Sequence, residues 1–175
     1  MKRKTREVEI SVSLEEGVVD TGDEVLDHLL TSLSFYMEKE LSVTASWDLR
    51  HHLWEDLGII LGEVLHDEIK DRNIMRFGSS VVPMDDALVL VSVDISRPYL
   101  NFDVDTAEPE KGFENTLVKE FLWALAKSFG VTIHVKQLNG TNGHHVIEAA
   151  VKALGMALKG AMSDSSRLES TKGVL

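Results

Sequence analysis

Cysteine is absent from the 175 residues, so any transition-metal site must be built from histidine and carboxylate, and thiolate zinc sites and iron–sulfur clusters are excluded. Basic residues are scarce: 18 Lys and Arg stand against 29 Asp and Glu, a net charge of −11 that argues against a phosphate-backbone binder and for metal ligation or a well-solvated surface. No nucleic-acid partner is expected. No apolar run approaches the ~20 residues of a membrane span, and the opening MKRKTREVEI lacks the apolar core of a secretory signal. The expectation is a cytoplasmic chain without a membrane partner. Apolar residues make up 43% of the sequence, enough for a globular chain with a real core.

Histidine is what remains to be counted, and its placement is not random. His51-His52-Leu53-Trp54-Glu55 recurs as His144-His145-Val146-Ile147-Glu148, and the same spacing of 93 positions relates Gly62 to Gly155 and Leu65 to Leu158. This pattern reads as an internal duplication. On a helix, Glu55 shares a face with both His51 and His52, at i+4 and i+3. Adjacent histidines point about 100° apart, so each pair addresses two metal ions more naturally than one, and a dinuclear site is expected.

The periodicity supports two similar halves. Arg6 to Leu14 alternates as a half-buried strand, Glu15-Glu16-Gly17 turns, and Val18 to Thr21 is expected to pair back as a second strand. A helix is predicted from near Asp23 on Val25, Leu26, Leu29, Leu30 and Leu33, then a strand over 41–47 and a helix over 52–69. After a connection over 71–83, strands are predicted at 87–95 and 99–104. A loop with Pro109, Gly112 and Asn115 leads to a helix at 117–129, a strand at 131–135 and a helix at 144–162. The predicted fold class is α+β: two ββαβα halves, 1–82 and 83–175, each a mostly antiparallel sheet with helices on one face, forming one compact unit.

Six of the seven histidines fall in this frame: His28, His51, His52, His134, His144 and His145. His66 reads as an exposed helix histidine. With Glu55 and Glu148 the inventory is six imidazoles and two carboxylates, enough for two six-coordinate ions with substrate positions open, and Mn²⁺, Fe²⁺ and Zn²⁺ all suit such ligands. Arg76 and Lys152 read as solvated charges, and the Ser170-Thr171-Lys172-Gly173 tail, although its hydroxyls, ammonium and glycine suit a phosphate, reads by itself more readily as an unordered terminus.

At this point the chain resembles imidazoleglycerol-phosphate dehydratases over essentially its whole length. The residues that carry the resemblance are Leu26-Asp27-His28-Leu29-Leu30, His51-His52-x-x-Glu55-Asp56, Arg76-Phe77-Gly78, Pro83-Met84-Asp85, Thr132-Ile133-His134, Asn142-x-His144-His145-x-x-Glu148, Lys152-Ala153 and the Ser170 to Gly173 tail. The resemblance implies a duplicated α+β unit and twenty-four-subunit homo-oligomers with two Mn²⁺ ions per active site at subunit contacts. It implies His28, His51, His52, Glu55, His134, His144, His145 and Glu148 as metal ligands. Arg76, Arg97, Lys152, Ser170 and Lys172 follow as phosphate contacts, and Glu7 as a carboxylate near the reacting carbons. The implied reaction is metal-dependent dehydration of D-erythro-imidazoleglycerol phosphate to imidazole acetol phosphate in L-histidine biosynthesis. Metals on the ring nitrogens would stabilise an imidazolate whose electrons expel the hydroxyl, and a carboxylate would move the protons. Glu7 is the first candidate and Glu148 the second, although an alternating charged strand would place a glutamate at position 7 in any case.

The chain departs from the family pattern at several points. Asp23-Glu24-Val25 replaces a Gly-rich entry, Tyr36-Met37 replaces His-Gly, Arg50 and Leu53 flank the first histidine pair where Asp and Thr are usual, and 94–98 lacks a glycine between Ser96 and Arg97. No proposed metal ligand is lost. Two other readings stay open: a non-catalytic dinuclear metal-binding cage protein, which would need neither Glu7 nor phosphate contacts, and a divergent dehydratase of a related phosphate.

Overall fold

A computed structural model describes residues 1–106 and 110–172; Pro109 and Gly173 lie outside the described residues. Among the described residues each half has six elements. The first comprises β1 (Lys2–Lys4), β2 (Val8–Ser13), β3 (Val19–Asp20), α1 (Glu24–Met37), β4 (Ser42–Trp47) and α2 (Arg50–Ile69). The second comprises β5 (Phe77–Met84), β6 (Ala87–Ile95), β7 (Tyr99–Asp103), α3 (Asn115–Phe129), β8 (Val131–Asn139) and α4 (Gly143–Met162). The sheets have matching orders, β1-β2-β4-β3 and β5-β6-β8-β7.

The α+β class and the two similar halves are as expected, but each half is βββαβα rather than ββαβα. β1 is a Lys-Arg-Lys edge strand without apolar alternation, held by backbone pairing to β2. β5 occupies most of the expected 71–83 connection and runs across the expected boundary between residues 82 and 83. Its serines and Pro83 blur the alternation, and Pro83 is tolerated because β5 is an edge strand. The short β3 does not pair back on β2. It lies parallel to β4, as β7 lies parallel to β8, so each sheet is mixed.

Alternation puts Val8, Ile10 and Val12 of β2 and Val89, Val91 and Val93 of β6 on the buried faces. Against these faces α2 covers the first sheet and α4 the second, while α1 packs on α4 and α3 on α2. The halves therefore interlock, each contributing one helix to the partner's crossing. Both crossings are close because a glycine sits at each. A Cβ on Gly62 would stand 2.9 Å from Leu125 O, and one on Gly155 would stand 2.9 Å from Leu33 O. Gly62 also meets Ser128 and Phe129, and Gly155 meets Tyr36 and Met37, so the crossings register Leu33 with Leu125, Tyr36 with Ser128 and Met37 with Phe129. By that register Glu120 occupies on α3 the place that His28 occupies on α1.

The outward faces of the two sheets differ. Lys2, Lys4, Glu9, Ser11, Thr44 and Ser46 line the first, whereas Phe77, Val81, Leu88 and Leu90 form an apolar patch on the second. Among the described residues no helix is long and apolar enough to cross a membrane.

Candidate functional site

The helix starts that carry the histidine motifs are set by local chemistry. Asn142 caps α4 by accepting from the His145 amide at 3.0 Å, which fixes His144 and His145 in the first turn with Glu148 one turn on. Asp23 caps α1 by accepting from the amides of Val25 and Leu26, which starts the helix that carries His28. α2 begins at Arg50, two residues earlier than expected, with no side-chain cap.

At the head of α4 three candidate ligands converge. His28 Nε2 lies 2.8 Å and His144 Nε2 2.9 Å from Glu148 Oε2, and one ligand atom from each residue lies within 4.8 Å of the other two. Two imidazoles and a carboxylate at that spacing are a donor set suited to a borderline divalent transition ion. Glu148 is buried, and Lys152 Nζ sits 2.8 Å from its other oxygen. Burial alone would raise its pKa, but hydrogen bonds from His28, Lys152 and His144 outweigh this and lower it to about 2. Phe113 stacks on the His144 ring at 4.4 Å.

The other half is open. His51 and Glu55 are exposed, and the rings of His51 and His52 are 4.1 Å apart. Among the described residues no third metal-binding group joins them. His52 Nδ1 is 2.7 Å from Asp48 Oδ1, and this hydrogen bond raises the His52 pKa. Glu7, in the β1–β2 turn, is close enough to add to that effect, and its backbone carbonyl accepts from the Asp48 amide at 3.1 Å. His145 repeats the arrangement: its Nδ1 is 2.7 Å from Asp86 Oδ1, which raises the His145 pKa and depresses that of Asp86.

The remaining expected residues lie apart from this cluster. His134 is on β8 facing outward, paired across the sheet with Ser92 and Asn101, on the face away from α4. Arg76 forms a two-pronged ion pair with Asp94, at 2.7 and 3.2 Å, and donates to the Glu169 carbonyl at 3.1 Å, which brings it beside the tail that carries Ser170 and Lys172. The Arg76 amide bonds Ala161 near the end of α4, so along the helix this group stands about 20 Å from Glu148 at 1.5 Å rise per residue. Arg97 is exposed, and its carbonyl accepts from Thr132. His66 is exposed, as expected, near the Phe129 carbonyl. One chain thus assembles His28, His144, Glu148 and Lys152 and leaves Glu7 with the first histidine pair, His134, and the Arg76–tail group elsewhere.

Sequence reasoning missed Asp48 and Asp86. The i,i+4 spacing of Asp48 and His52 was a usable signal. Asp86 gave none, because the β5–β6 turn brings it to His145 from 59 residues away. The departures at Asp23 and Arg50 also proved to be one feature. Arg50 donates twice to Asp23, which also accepts from Trp54 Nε1 at 3.0 Å, and reaches Glu114 and the Gly112 carbonyl.

Comparison with known proteins bears on the whole arrangement. A family model described as imidazoleglycerol-phosphate dehydratase matches residues 21–158. The imidazoleglycerol-phosphate dehydratase of Pyrococcus furiosus is 54% identical over 100% of both chains, and that of Desulforudis audaxviator is 45% identical over 100% of this chain and 96% of its own. A crystal structure of the Pyrococcus furiosus protein gives a TM-score of 0.97 with full coverage of both chains. One from Staphylococcus aureus gives 0.83 at 35% identity, covering 94% of this chain and 98% of that one. With its motifs in order, its duplicated fold matched end to end and its histidine helices in place, this chain belongs to the imidazoleglycerol-phosphate dehydratase family.

Proposed function

We propose that the chain is a carbon–oxygen hydro-lyase that dehydrates D-erythro-imidazoleglycerol phosphate to imidazole acetol phosphate in L-histidine biosynthesis, in the cytoplasm, with two Mn²⁺ ions per active site. The observation that carries the metal reading is the convergence of His28, His144 and Glu148 around one point. When bound, the ions supply positive charge to the substrate's ring nitrogens, which favours departure of the neighbouring hydroxyl. Iron and zinc fit the same donors.

The chain's own residues then divide the work. His28, His144 and Glu148 hold one position; His51, His52, Glu55, His134 and His145 supply the rest. Glu148 would be engaged as a ligand together with His28 and His144. Proton movement is assigned to Glu7, which stands beside His52 and takes the proton from the carbon adjacent to the one that loses its hydroxyl; the hydroxyl departs with a proton as water, and the enol left behind tautomerises to the ketone. Arg76, Arg97, Lys152, Ser170 and Lys172 hold the phosphate, with Lys152 exchanging its Glu148 contact for a substrate oxygen.

A complete site needs more than one copy. His134 faces away from α4, the Arg76–tail group lies about 20 Å from Glu148, and the first histidine pair is open. Neighbouring chains would close these gaps in a twenty-four-subunit homo-oligomer, and the apolar Phe77, Val81, Leu88 and Leu90 face offers surface for such packing. Assaying the purified, Mn²⁺-loaded protein on imidazoleglycerol phosphate is the direct test: dehydration is expected, and its absence would overturn the reading. Elemental analysis should find close to two ions per chain, with fewer than one sinking the dinuclear arrangement. Chelation should shift the particle to smaller species in light scattering, because shared ligands tie copies together.

A further inference from the structure

The second histidine of each adjacent pair meets a carboxylate at the same atom and the same distance, yet the two carboxylates come from unrelated places in the chain. Asp48 Oδ1 lies 2.7 Å from His52 Nδ1, and Asp86 Oδ1 lies 2.7 Å from His145 Nδ1. The 93-residue spacing that relates the histidines puts Thr141, not an acid, opposite Asp48. In the second half the β5–β6 turn supplies what that loop lacks: Asp86 Oδ2 accepts from the amides of Thr141 and Asn142 at 2.7 and 3.3 Å, and its other oxygen faces the ring. Among the described residues the first histidine of each pair has no such contact at Nδ1 nearer than the 3.6 Å between His144 and Glu110.

We infer that Asp48 and Asp86 are positioning residues that hold His52 and His145 in the tautomer and ring orientation needed for ligation through Nε2. A neutral imidazole carries one N–H; an acceptor at Nδ1 keeps the hydrogen there and leaves the lone pair on Nε2, while it also raises the basicity of that nitrogen. His145 Nε2 has Asp85 Oδ2 at 3.4 Å, an exposed carboxylate that would stand beside an ion bound there. Stability is a poor explanation for the contacts. Asp48 and Asp86 are 52% and 40% exposed at the side chain, and exposed pairs of this kind contribute little to folding.

The inference rests on the metal reading above, and the test separates the two. Mn²⁺ binding is measured by equilibrium dialysis on the full-length protein and its Asp48→Ala, Asp48→Asn and Asp86→Asn variants, alongside thermal unfolding of the chelated forms. Asp86→Ala is avoided because it would also release the two loop amides of Thr141 and Asn142; Asp48→Ala releases one, that of the exposed neighbour Leu49. Asp48→Ala should weaken Mn²⁺ binding about 10- to 100-fold with the unfolding midpoint unchanged. Asp48→Asn and Asp86→Asn should lose less, since an amide oxygen still accepts from Nδ1–H. Binding within about twofold of the unsubstituted protein in Asp48→Ala, or a loss matched by a drop in the unfolding midpoint, overturns the inference while leaving the metal reading standing. If the unsubstituted protein binds no Mn²⁺, both fall.

Discussion

At the head of α4, His144 and Glu148 meet His28 from α1, whereas at the head of α2 the same motif, His51 and Glu55, faces solvent with α3 alongside. The helices that carry the motifs are related by the repeat, and so are their crossings, glycine against backbone in both. What differs is the side chain that the crossing helix presents: His28 on α1 and, at the matched register, the exposed Glu120 on α3. Duplicating a ligand motif therefore does not duplicate a site. The third member of the cluster belongs to a neighbouring helix with its own sequence, and in the proposed assembly the open half would be completed by groups from outside the chain.

The sharpest way to probe that difference is at the open half. Glu7→Gln keeps shape and hydrogen bonding but removes the proton-accepting charge, and kcat should fall by about 10² to 10⁴ with metal content intact in steady-state kinetics paired with elemental analysis. Near-normal kcat would move proton transfer away from the first histidine pair. Next in size is the contrast between His28→Ala and Glu120→Ala. Deleting a ligand should cost at least as much as deleting an outer partner, so Mn²⁺ affinity should drop about 100-fold or more in the first and hold in the second. Equal losses, read from binding isotherms, would erase the distinction between the closed and open halves.

How far this comparison could be read in the sequence depends on whether a signal is local. The Leu26, Leu29, Leu30 and Leu33 stripe and the Leu57, Ile60, Leu61 and Val64 stripe are helical by period, and both form helices with those residues buried. The β2 and β6 alternations were equally plain. β1 and β5 were not, because a charged edge and a serine-rich strand bury too little to leave a period. Within the site, the motif repeat pointed to six of the eight candidate ligands, His28 and His134 being added from their places in the frame, but not to which of them meet. That depends on α1 lying on α4, a contact between elements more than a hundred residues apart. Arg50 and Asp23 were visible only as two separate oddities, since nothing in a linear sequence pairs residues that distant.

That pair offers a stability test of how the open half is held. Arg50 ties the cap of α1 to the first turn of α2, and Asp23 is 8% exposed. Burial would raise the Asp23 pKa, but hydrogen bonds from Arg50 and Trp54 outweigh it and hold it below the ordinary carboxylate value. Arg50→Ala leaves a largely buried carboxylate short of its partner and should destabilise the chelated protein by about 1–3 kcal/mol in denaturant unfolding, discounted from the fully buried case because Arg50 is partly exposed. The sign with pH follows. A depressed folded pKa contributes stability that is fully present above the unfolded value and is lost as pH falls through the folded one. The gap between the two proteins should therefore be full near neutrality and narrow in acid. A gap that widens in acid would mean that Asp23 is not the group responsible.

The smallest expected effect is at the tail. Lys172 is exposed, and its amide lies 3.3 Å from Ser170 Oγ, one residue beyond the Glu169 carbonyl that Arg76 holds. A contact to a phosphate that does not react is present in the ground state and the transition state alike, so losing it costs uniform binding rather than rate. An exposed ammonium on a flexible stem is screened and easily replaced by water. Lys172→Ala should therefore raise KM by about 3- to 10-fold and leave kcat unchanged. The rise should shrink at high salt, where the electrostatic part of the contact is already weakened. A fall in kcat with KM unchanged would instead place Lys172 at the reacting end of the substrate, beside the histidine cluster and away from Arg76.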